Sequence, residues 1–195
     1  DIIAGARPNF MKIAPLVHKL RKGKSGMEWR LVHTGQHYDY EMSKGFFDDL
    51  DMPGPDYFLN VGSGTHAVQT ARIMVEFEKV CIEETPATIV VVGDVNSTLA
   101  CSIAAKKLNM KVAHVEAGLR SGDMSMPEEI NRIVTDSISD YLFVTEKSGI
   151  KNLEREGKNA EQIFFVGNTM IDTLYYSLEK LKRLKTDNLR SLQTK

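Results

Sequence analysis

Three carboxylates occupy positions in this sequence from which a side chain could exchange protons with a bound molecule. Asp94 follows the apolar run TIVVV and a glycine, Glu116 follows KVAHV, and Glu128 lies in the segment MPEEINR. A carboxylate that is partly buried in a cleft has a shifted pKa and can give or take a proton near neutral pH. Asp94 could instead cap a helix, but Asn96 or Ser97 could already do so, and a chemical role is therefore favoured.

A second motif, GARPNFMK, has the residue types that hold an anion. Gly5 predicts a tight turn between a strand and a helix, Pro8 fits the helix start, and Arg7 and Lys12 flank the turn. Free N–H groups at a helix start together with two cations suit a phosphate or pyrophosphate. The alternative is a loop glycine beside solvated cations. The motif is neither GxGxxG nor a Walker A loop, so it gives no support for NAD or ATP binding by those routes.

The motif TGQHYD also follows a strand-like run. It contributes Gln36, His37 and Asp39. A single histidine is more often a hydrogen-bonded structural residue than a catalytic one, and we favour that interpretation of His37 over contact with a ligand.

The segment MPEEINR has a structural explanation beside the chemical one. Pro127 fits a helix start, where the helix dipole favours acidic side chains such as Glu128 and Glu129. Arg132 lies four residues after Glu128, a spacing that predicts an ion pair on the helix surface. For the pair of glutamates the two explanations are equally supported. Glu129 and Arg132 we interpret as helix-start electrostatics and an ion pair.

The composition narrows the class of protein. The chain has 195 residues, 42% of them apolar and 26% charged, with a formal net charge of −1. A near-neutral chain has no basic field for nucleic acid or an anionic membrane, and no apolar run is long enough to span a bilayer. No basic segment precedes the first apolar run, so no secretory signal is expected. Cys81 and Cys101 form neither a CxxC nor a Cys/His motif, which predicts buried thiols in a reducing cytoplasm.

The elements that must position these residues follow from the alternation of apolar runs. Strand-like runs span 1–5, 29–35, 87–94, 111–116, 141–146 and 162–168. Helix-like stretches span 10–22, 41–50, 65–84, 97–108, 127–140, 147–157 and the tail from 169. Strands apolar on both faces and interleaved with helices predict a parallel sheet covered on both sides. We therefore expect a doubly wound, Rossmann-like α/β domain of about six or seven strands.

The same patterns predict which helix residues share one side and where the polar motifs meet. In the first helix the core-facing residues are Met11, Leu16 and Leu20. In the long helix over 65–84 the apolar residues that share one side are Val68, Ala71, Val75 and Ile82. Ligands of such sheets bind beyond the carboxyl ends of the strands. Since GARPNFMK, TGQHYD, GDVNST and HVEAGLRSGD all follow strand-like runs, we expect them to meet in one cleft.

With these motifs in order, the sequence resembles the non-hydrolysing UDP-N-acetylglucosamine 2-epimerases. The matching segments are GARPNFMKIAPL, TGQH, GDVNSTLA, HVEAGLRSGD, MPEEINR and GNTMIDTL. The resemblance implies the GT-B architecture, in which two Rossmann-like domains face each other across a cleft. It implies that residues 1–168 form the N-terminal domain and that residues 169–195 form a connecting helix toward a C-terminal domain.

The activity implied by the resemblance is the interconversion of UDP-GlcNAc and UDP-ManNAc. UDP leaves by anti elimination to give 2-acetamidoglucal and adds again after C2 is protonated on the opposite face. Residues matching Asp94, Glu116 and Glu128 are the catalytic carboxylates, and those matching Arg7, Lys12, Asp94 and Glu116 contact the nucleotide sugar. Which carboxylate serves which face does not follow from the sequence. The resemblance implies no cofactor or metal, a cytoplasmic homodimer, and a role in supplying sugars for cell-envelope polysaccharides.

Two departures from the family pattern concern regulation and the anion turn. Bacterial members bind a second UDP-GlcNAc beside the active site, at residues that match Gln36 and Arg72. Many relatives have QHRE or QHRQ where this chain has QHYD, and Asn9 replaces a common glutamate after RP.

Three alternative functions are open on the sequence alone. One is a hydrolysing 2-epimerase that releases ManNAc and UDP. Another is an epimerase of a related UDP-diacetamido sugar, since such enzymes share most of these motifs. A third is a GT-B domain that binds or transfers a sugar nucleotide without epimerising it.

Overall fold

The computed structural model describes residues 1–23, 26–35 and 40–193, with the backbone alone for 40–44 and 184–193. The described residues form strands β1 (Ile2–Ala4), β2 (Leu31–His33), β3 (Tyr57–Phe58), β4 (Thr88–Val92), β5 (Lys111–Val115), β6 (Tyr141–Val144) and β7 (Ile163–Phe165). The helices are α1 (Arg7–Lys22), α2 (Tyr40–Asp49), α3 (His66–Glu84), α4 (Asn96–Lys107), α5 (Pro127–Ile138), α6 (Lys147–Arg155) and α7 (Thr169–Gln193).

The strands form one parallel sheet in the order β3-β2-β1-β4-β5-β6-β7. This is the doubly wound arrangement that the sequence predicted. The strand order reverses between β1 and β4, the switch point at which such sheets open a ligand crevice. Strand β3 was not predicted, because two residues at the sheet edge are too short to show a periodic pattern.

Helices cover the sheet on both faces and form two apolar cores. Helices α3 and α4 pack on one face through a cluster that includes Ile73, Phe77 and Cys101. Helix α1 and the end of α2 pack on the other through a cluster that includes Phe10, Ile13 and Phe47. Successive strand residues alternate between the two cores, as Ile2 and Ile3 do. This explains why the strands lack polar alternation.

The apolar residues that share one side of α3 do not pack on the sheet. Val68, Ala71, Val75 and Ile82 are all exposed, with Val75 at 55% and Ile82 at 63% of their accessible surface. The buried residues of the helix are Gln69, Ile73, Phe77, Val80 and Cys81. The helix has two apolar stripes, both at helical spacing, and periodicity alone does not say which one faces the sheet.

The predicted face of α1 is close to the observed one. Met11, Leu16 and Leu20 are partly buried and pack against the core. The fully buried apolar residues of the helix are Phe10, Ile13, Ala14 and Val17. The helix begins at Arg7, with Pro8 in its first turn, three residues earlier than predicted.

Helix α7 begins at Thr169 and lies against α1. The hydroxyl of Thr173 donates a hydrogen bond of 2.6 Å to the carbonyl of Met11, and the ring of Tyr176 lies 4.9 Å from that of His18. Its opposite face is apolar and exposed, with Leu174 at 56% and Tyr175 at 65%.

Both cysteines are free and buried, as predicted. Burial raises the pKa of Cys81 to about 11 and that of Cys101 well above its usual range. Both thiols are therefore protonated near neutral pH and are poor nucleophiles. None of the helices in the described part of the chain is long and apolar enough to cross a lipid bilayer.

Candidate active site

Three of the four predicted polar motifs meet, as far as the described residues show, at the carboxyl ends of β1, β4 and β5. The N–H of Gly93, after β4, donates to the carbonyl of Val115 at the end of β5 over 3.0 Å. Asn9, in the first turn of α1, donates 2.8 Å to the carbonyl of Val92 at the end of β4. Of the fourth motif, Gln36, His37 and Asp39 lie outside the described residues.

Lys12 and Glu116 form an ion pair across the switch point. The Lys12 ammonium contacts Glu116 Oε2, and the two side chains are only 13% and 11% exposed. Helix α1 supplies the lysine and the turn after β5 supplies the glutamate. The structure thus joins a residue of the predicted anion turn directly to a predicted catalytic carboxylate.

Glu116 has a backbone conformation that is unusual for a residue with a Cβ. Its φ is +73°, in the left-handed region. This conformation costs a non-glycine residue about 1–2 kcal/mol. Its N–H and that of Ala117 both donate 3.1 Å hydrogen bonds to the carbonyl of Phe143 in β6. Neighbouring structure therefore holds the strained turn and directs the carboxylate toward Lys12.

Asp94 forms the second carboxylate–cation pair of the site. Arg132 in α5 reaches Asp94 Oδ2 over 2.5 Å and Glu129 Oε2 over 2.9 Å. The predicted surface ion pair between Arg132 and Glu128 is wrong. The guanidinium points toward the end of β4, where a closer carboxylate satisfies it.

Glu129 fixes the loop that crosses from β5 to α5. Its carboxylate is buried and accepts hydrogen bonds from the N–H groups of Ser121 (3.0 Å) and Gly122 (2.9 Å). Burial acts to raise the pKa of Glu129, but these N–H groups and the Arg132 guanidinium outweigh it and lower that pKa to about 2. Glu129 is thus more than a helix-start acid, because it anchors the loop and orients Arg132.

Glu128 lies on the first turn of α5, beside the end of β4. Asn131, one turn later on the same side of the helix, donates 2.8 Å to the carbonyl of Asp94. Glu128 is partly exposed, and among the described residues it has no hydrogen bond or ion pair. The three carboxylates therefore differ. Asp94 and Glu116 each form an ion pair with a cationic side chain, and Glu128 forms none within the described chain.

The anion turn has its predicted glycine and cations, with one addition. Asn9 Oδ1 accepts hydrogen bonds from the N–H groups of Gly5 (3.3 Å) and Ala6 (3.0 Å). Arg7 is exposed at the start of α1, with its guanidinium 4.5 Å from the centre of the Phe46 ring. Arg7 therefore remains open to an incoming anion, whereas Lys12 is already paired with Glu116.

Arg72, the second predicted regulatory residue, is exposed on α3. It lies one turn after Gln69, whose side-chain oxygen accepts 2.8 Å from Asn96 at the start of α4. Arg72 thus stands on the helix next to the end of β4. Gln36 lies outside the described residues, so the pairing of Gln36 with Arg72 stays a prediction.

A buried polar network behind the site was missed by sequence reasoning. His114 Nδ1 lies 2.6 Å from Asp136 Oδ1, and both side chains are 0% exposed. Arg120 contacts the other oxygen of Asp136 over 2.8 Å and also pairs with Glu156. A histidine inside the apolar run of β5 is the signal in the sequence, because a buried imidazole requires partners.

Comparison with known proteins places this geometry in a family. The family model described as UDP-N-acetylglucosamine 2-epimerase matches residues 18–195. A UDP-N-acetylglucosamine 2-epimerase of Methanocaldococcus jannaschii is 47% identical over 191 residues, covering 98% of this chain and 51% of the relative. A UDP-2,3-diacetamido-2,3-dideoxy-D-glucuronate 2-epimerase of Pseudomonas aeruginosa is 46% identical over 180 residues, covering 91% of this chain and 51% of the relative.

Solved structures of the same family also match this chain. The crystal structure of the M. jannaschii UDP-GlcNAc 2-epimerase in complex with UDP-GlcNAc and UDP matches this chain with a TM-score of 0.88 at 47% identity. The match covers 98% of this chain and 52% of that one. The chain thus spans about half the length of the relatives it matches. It belongs to the UDP-N-acetylglucosamine 2-epimerase family.

Proposed function

We propose that this chain is the N-terminal half of a UDP-N-acetylglucosamine 2-epimerase that interconverts UDP-GlcNAc and UDP-ManNAc. The observation that carries the proposal is the pair of carboxylate–cation contacts at neighbouring strand ends, Lys12–Glu116 and Arg132–Asp94. Proton transfer at a sugar carbon needs such fixed carboxylates, and a departing pyrophosphate needs cations.

The proposed reaction has two halves. A carboxylate takes the C2 proton while the C1–O bond to UDP breaks, which forms the double bond of 2-acetamidoglucal and releases UDP. In the second half an acid delivers a proton to C2 on the opposite face, and UDP adds again at C1. Asp94, Glu116 and Glu128 are the proposed proton-transfer groups: the first two follow β4 and β5, and Glu128 lies on the first turn of α5.

The cations of the anion turn have a separate role in the proposal. Arg7 and Lys12 bind the pyrophosphate and stabilise the charge that grows on it as the bond breaks. Lys12 contacts Glu116 in the structure, so one side chain links the leaving group to a proposed proton-transfer group.

The decisive experiment follows C2 of the sugar in the full-length protein. Conversion of UDP-GlcNAc in D₂O should place deuterium at C2 of the product, and product without deuterium there would rule out elimination. Asp94→Asn and Glu116→Gln should each lower kcat by about 100-fold or more. Near-normal turnover of either variant would remove that residue from the mechanism. Lys151→Gln, on an exposed part of α6, serves as the control.

One observation favours a second candidate substrate. The P. aeruginosa relative, named for a UDP-diacetamido-glucuronate, is nearly as similar as the M. jannaschii enzyme. Comparing kcat/KM for UDP-GlcNAc and for the diacetamido sugar nucleotide would decide between them. In the same NMR assay, free ManNAc as the main product would instead show a hydrolysing 2-epimerase, and product that forms only with an added acceptor would show a transferase.

The domain organisation completes the proposal. Residues 1–168 form the nucleotide-sugar domain, and α7 leads from it toward a second domain that closes the cleft. The exposed apolar face of α7 supports this role, because an isolated domain gains nothing from such a surface. We further propose that the full-length protein is a homodimer.

A further inference from the structure

His114 is bonded to a protein acceptor at each of its two ring nitrogens. Nδ1 lies 2.6 Å from Asp136 Oδ1, and Nε2 lies 2.8 Å from the carbonyl oxygen of Gly93. A carbonyl oxygen can only accept, so Nε2 carries a proton. The imidazole is wholly buried, and no solvent competes for these contacts.

Asp136 is ionised in this arrangement. Its second oxygen accepts from the N–H of Gly118 over 3.0 Å and lies 2.8 Å from Arg120. Burial acts to raise the pKa of Asp136, but the charges of His114 and Arg120 and the Gly118 N–H outweigh it and hold that pKa below its usual value. The Asp136 carboxylate and the Gly93 carbonyl thus hold the two nitrogen edges of the buried His114 ring.

Arg120 connects Asp136 to the protein surface. From the loop after β5 it contacts the buried carboxylate of Asp136 and also pairs with the exposed carboxylate of Glu156 at the end of α6. Burial lowers the pKa of Lys158, and the charges of Asp136 and Glu156 act against this. Asp136 is therefore held by a cation that is itself fixed by a second carboxylate.

The contacts of Asp136 bracket Glu116. One oxygen of Asp136 holds His114, two residues before Glu116, and the other holds the N–H of Gly118, two residues after it. Through His114 the same carboxylate also holds Gly93, the residue before Asp94. A single side chain of α5 is therefore bonded to both strand ends that carry the proposed proton-transfer groups.

We propose that Asp136 and His114 are positioning residues that hold the turn of Glu116 in its left-handed conformation and fix its distance from Asp94. The catalytic part of this inference rests on the proposed epimerase function. Neither side chain contacts the sugar, since both are wholly buried. Their effect reaches the reaction through the backbone at 93 and 116–118.

Asp136→Asn in the full-length protein tests the proposal. The amide has the same shape but no charge, so it no longer pairs with Arg120, and its N–H group meets either the Gly118 N–H or the Nδ1 edge of His114. We expect kcat to fall by about 100-fold while KM for UDP-GlcNAc changes by less than about threefold. Adding Asp136→Asn to Glu116→Gln should lower kcat by less than about threefold further. Once Glu116 has lost its carboxylate, misplacing it has little additional effect. Losses that multiply would overturn the proposal.

Amide hydrogen exchange separates this proposal from the proposed function. Asp136→Asn should speed exchange selectively at Glu116, Ala117 and Gly118, whether or not the protein epimerises. Ile73→Ala, in the core between α3 and the sheet, is the control: it should destabilise the domain without this selectivity and leave kcat of the folded protein unchanged. Unchanged exchange at the turn would overturn the positioning role. Wild-type protein without conversion would overturn only the proposed function.

A measurement on the unsubstituted protein covers the case in which Asp136→Asn does not fold. Nitrogen NMR of His114 should show a proton on Nε2 that exchanges slowly with solvent, because the ring is buried and Nε2 contacts the Gly93 carbonyl. An unprotonated or rapidly exchanging Nε2 would overturn the contact through which His114 holds Gly93. His114→Gln then serves as the second variant for the kinetic and exchange measurements, with the same expected selectivity.

Discussion

The guanidinium of Arg132 lies 2.5 Å from the carboxylate of Asp94, although the two residues are 38 positions apart. Arg132 comes from the second turn of α5 and Asp94 from the end of β4. The contact orients a proposed proton-transfer group from a helix that also carries Glu128. Helix α5 therefore fixes the positions of Asp94 and Glu128 relative to each other.

Replacing Arg132 should impair turnover of the full-length protein. We expect Arg132→Gln to lower kcat by about 10- to 100-fold, because Asp94 loses its oriented cation. The kcat of Arg132→Lys should lie between those of wild type and Arg132→Gln. An ammonium keeps the charge but lacks the planar fork that reaches Asp94 and Glu129 together. Steady-state kinetics checks both, with Arg155→Gln on exposed α6 as the control. Wild-type kcat in Arg132→Gln would contradict the role.

Glu129 should make the stability of the domain depend on acid pH. Its folded pKa of about 2 lies below its ordinary value of 4.5. A lowered folded pKa stabilises the fold above about pH 4.5, and that contribution is lost as the pH falls toward 2. The shift corresponds to about 3 kcal/mol at neutral pH. Glu129→Gln should lower the free energy of unfolding by about this amount at pH 7 and by much less at pH 3.

Urea titration of the 195-residue chain at several pH values measures this difference. Glu154→Gln, on exposed α6, should show no such pH dependence and is the control. An equal stability gap at pH 7 and pH 3 would show that the charge of Glu129 is not what holds the loop.

Gly118 and Gly122 offer a matched test of backbone approach in one loop. Both have positive φ, +81° and +75°. A Cβ on Gly118 would lie 2.4 Å from the carbonyl oxygen of Gly149, whereas one on Gly122 would meet nothing within 4 Å. Gly122→Ala should therefore cost about 1 kcal/mol, the cost of the left-handed conformation alone. Gly118→Ala should cost at least about 3 kcal/mol, because helix α6 must move away. Equal costs in urea unfolding would contradict this packing.

We expect the exposed apolar stripe of α3 to form the interface of the proposed homodimer. Val68, Val75 and Ile82 repeat every seven residues along the helix and are all exposed. Two copies packed antiparallel about Val75 would place Val68 beside the partner's Ile82. The same arrangement sets Arg72 opposite the partner's Glu78, so the charges as well as the apolar residues are complementary.

Light scattering of the full-length protein checks this arrangement. Val75→Glu should convert the dimer to a monomer, because two carboxylates would meet on the axis. Lys151→Glu on α6 should leave the dimer intact. A dimer that persists in Val75→Glu would exclude this face, and a monomeric wild type would exclude the homodimer itself.

The 195-residue chain alone should bind UDP weakly. A cleft site built from two domains loses about half of its contacts when one wall is missing. Calorimetric titration of UDP into the chain and into the full-length protein compares the two. Equally tight binding would show that this half carries the whole nucleotide site.

The sequence predicted the parts of the site that follow from topology. Asp94, Glu116 and Lys12 were expected near one another because the carboxyl ends of parallel strands share one edge of a sheet, and the structure places them there. The partner of Arg132 was wrong because sequence spacing reports only neighbours on the same helix. Asp94 reaches Arg132 through the fold, across a distance that spacing along the chain does not encode.

The faces of helices were predicted less well than the positions of strands. The strands of this sheet are buried on both sides, so any apolar run among helices identifies them. Helix α3 has apolar residues on two sides, and Val75 and Phe77 are equally apolar in the sequence. Only packing decides that Phe77 is buried and Val75 exposed. The same limit concealed Asp136, whose burial depends on the imidazole of His114.

The contact between Lys12 and Glu116 closes a loop of 104 residues. Parallel strands pair over long sequence separations. Chains dominated by such contacts fold slowly, because the entropy cost of closing the loop comes before the stabilisation from strand pairing. Lys12 is made 104 residues before Glu116, so we expect their ion pair to form only after β5 has docked beside β4. A nascent chain that ends before Glu116 would carry the anion turn without its counter-charge.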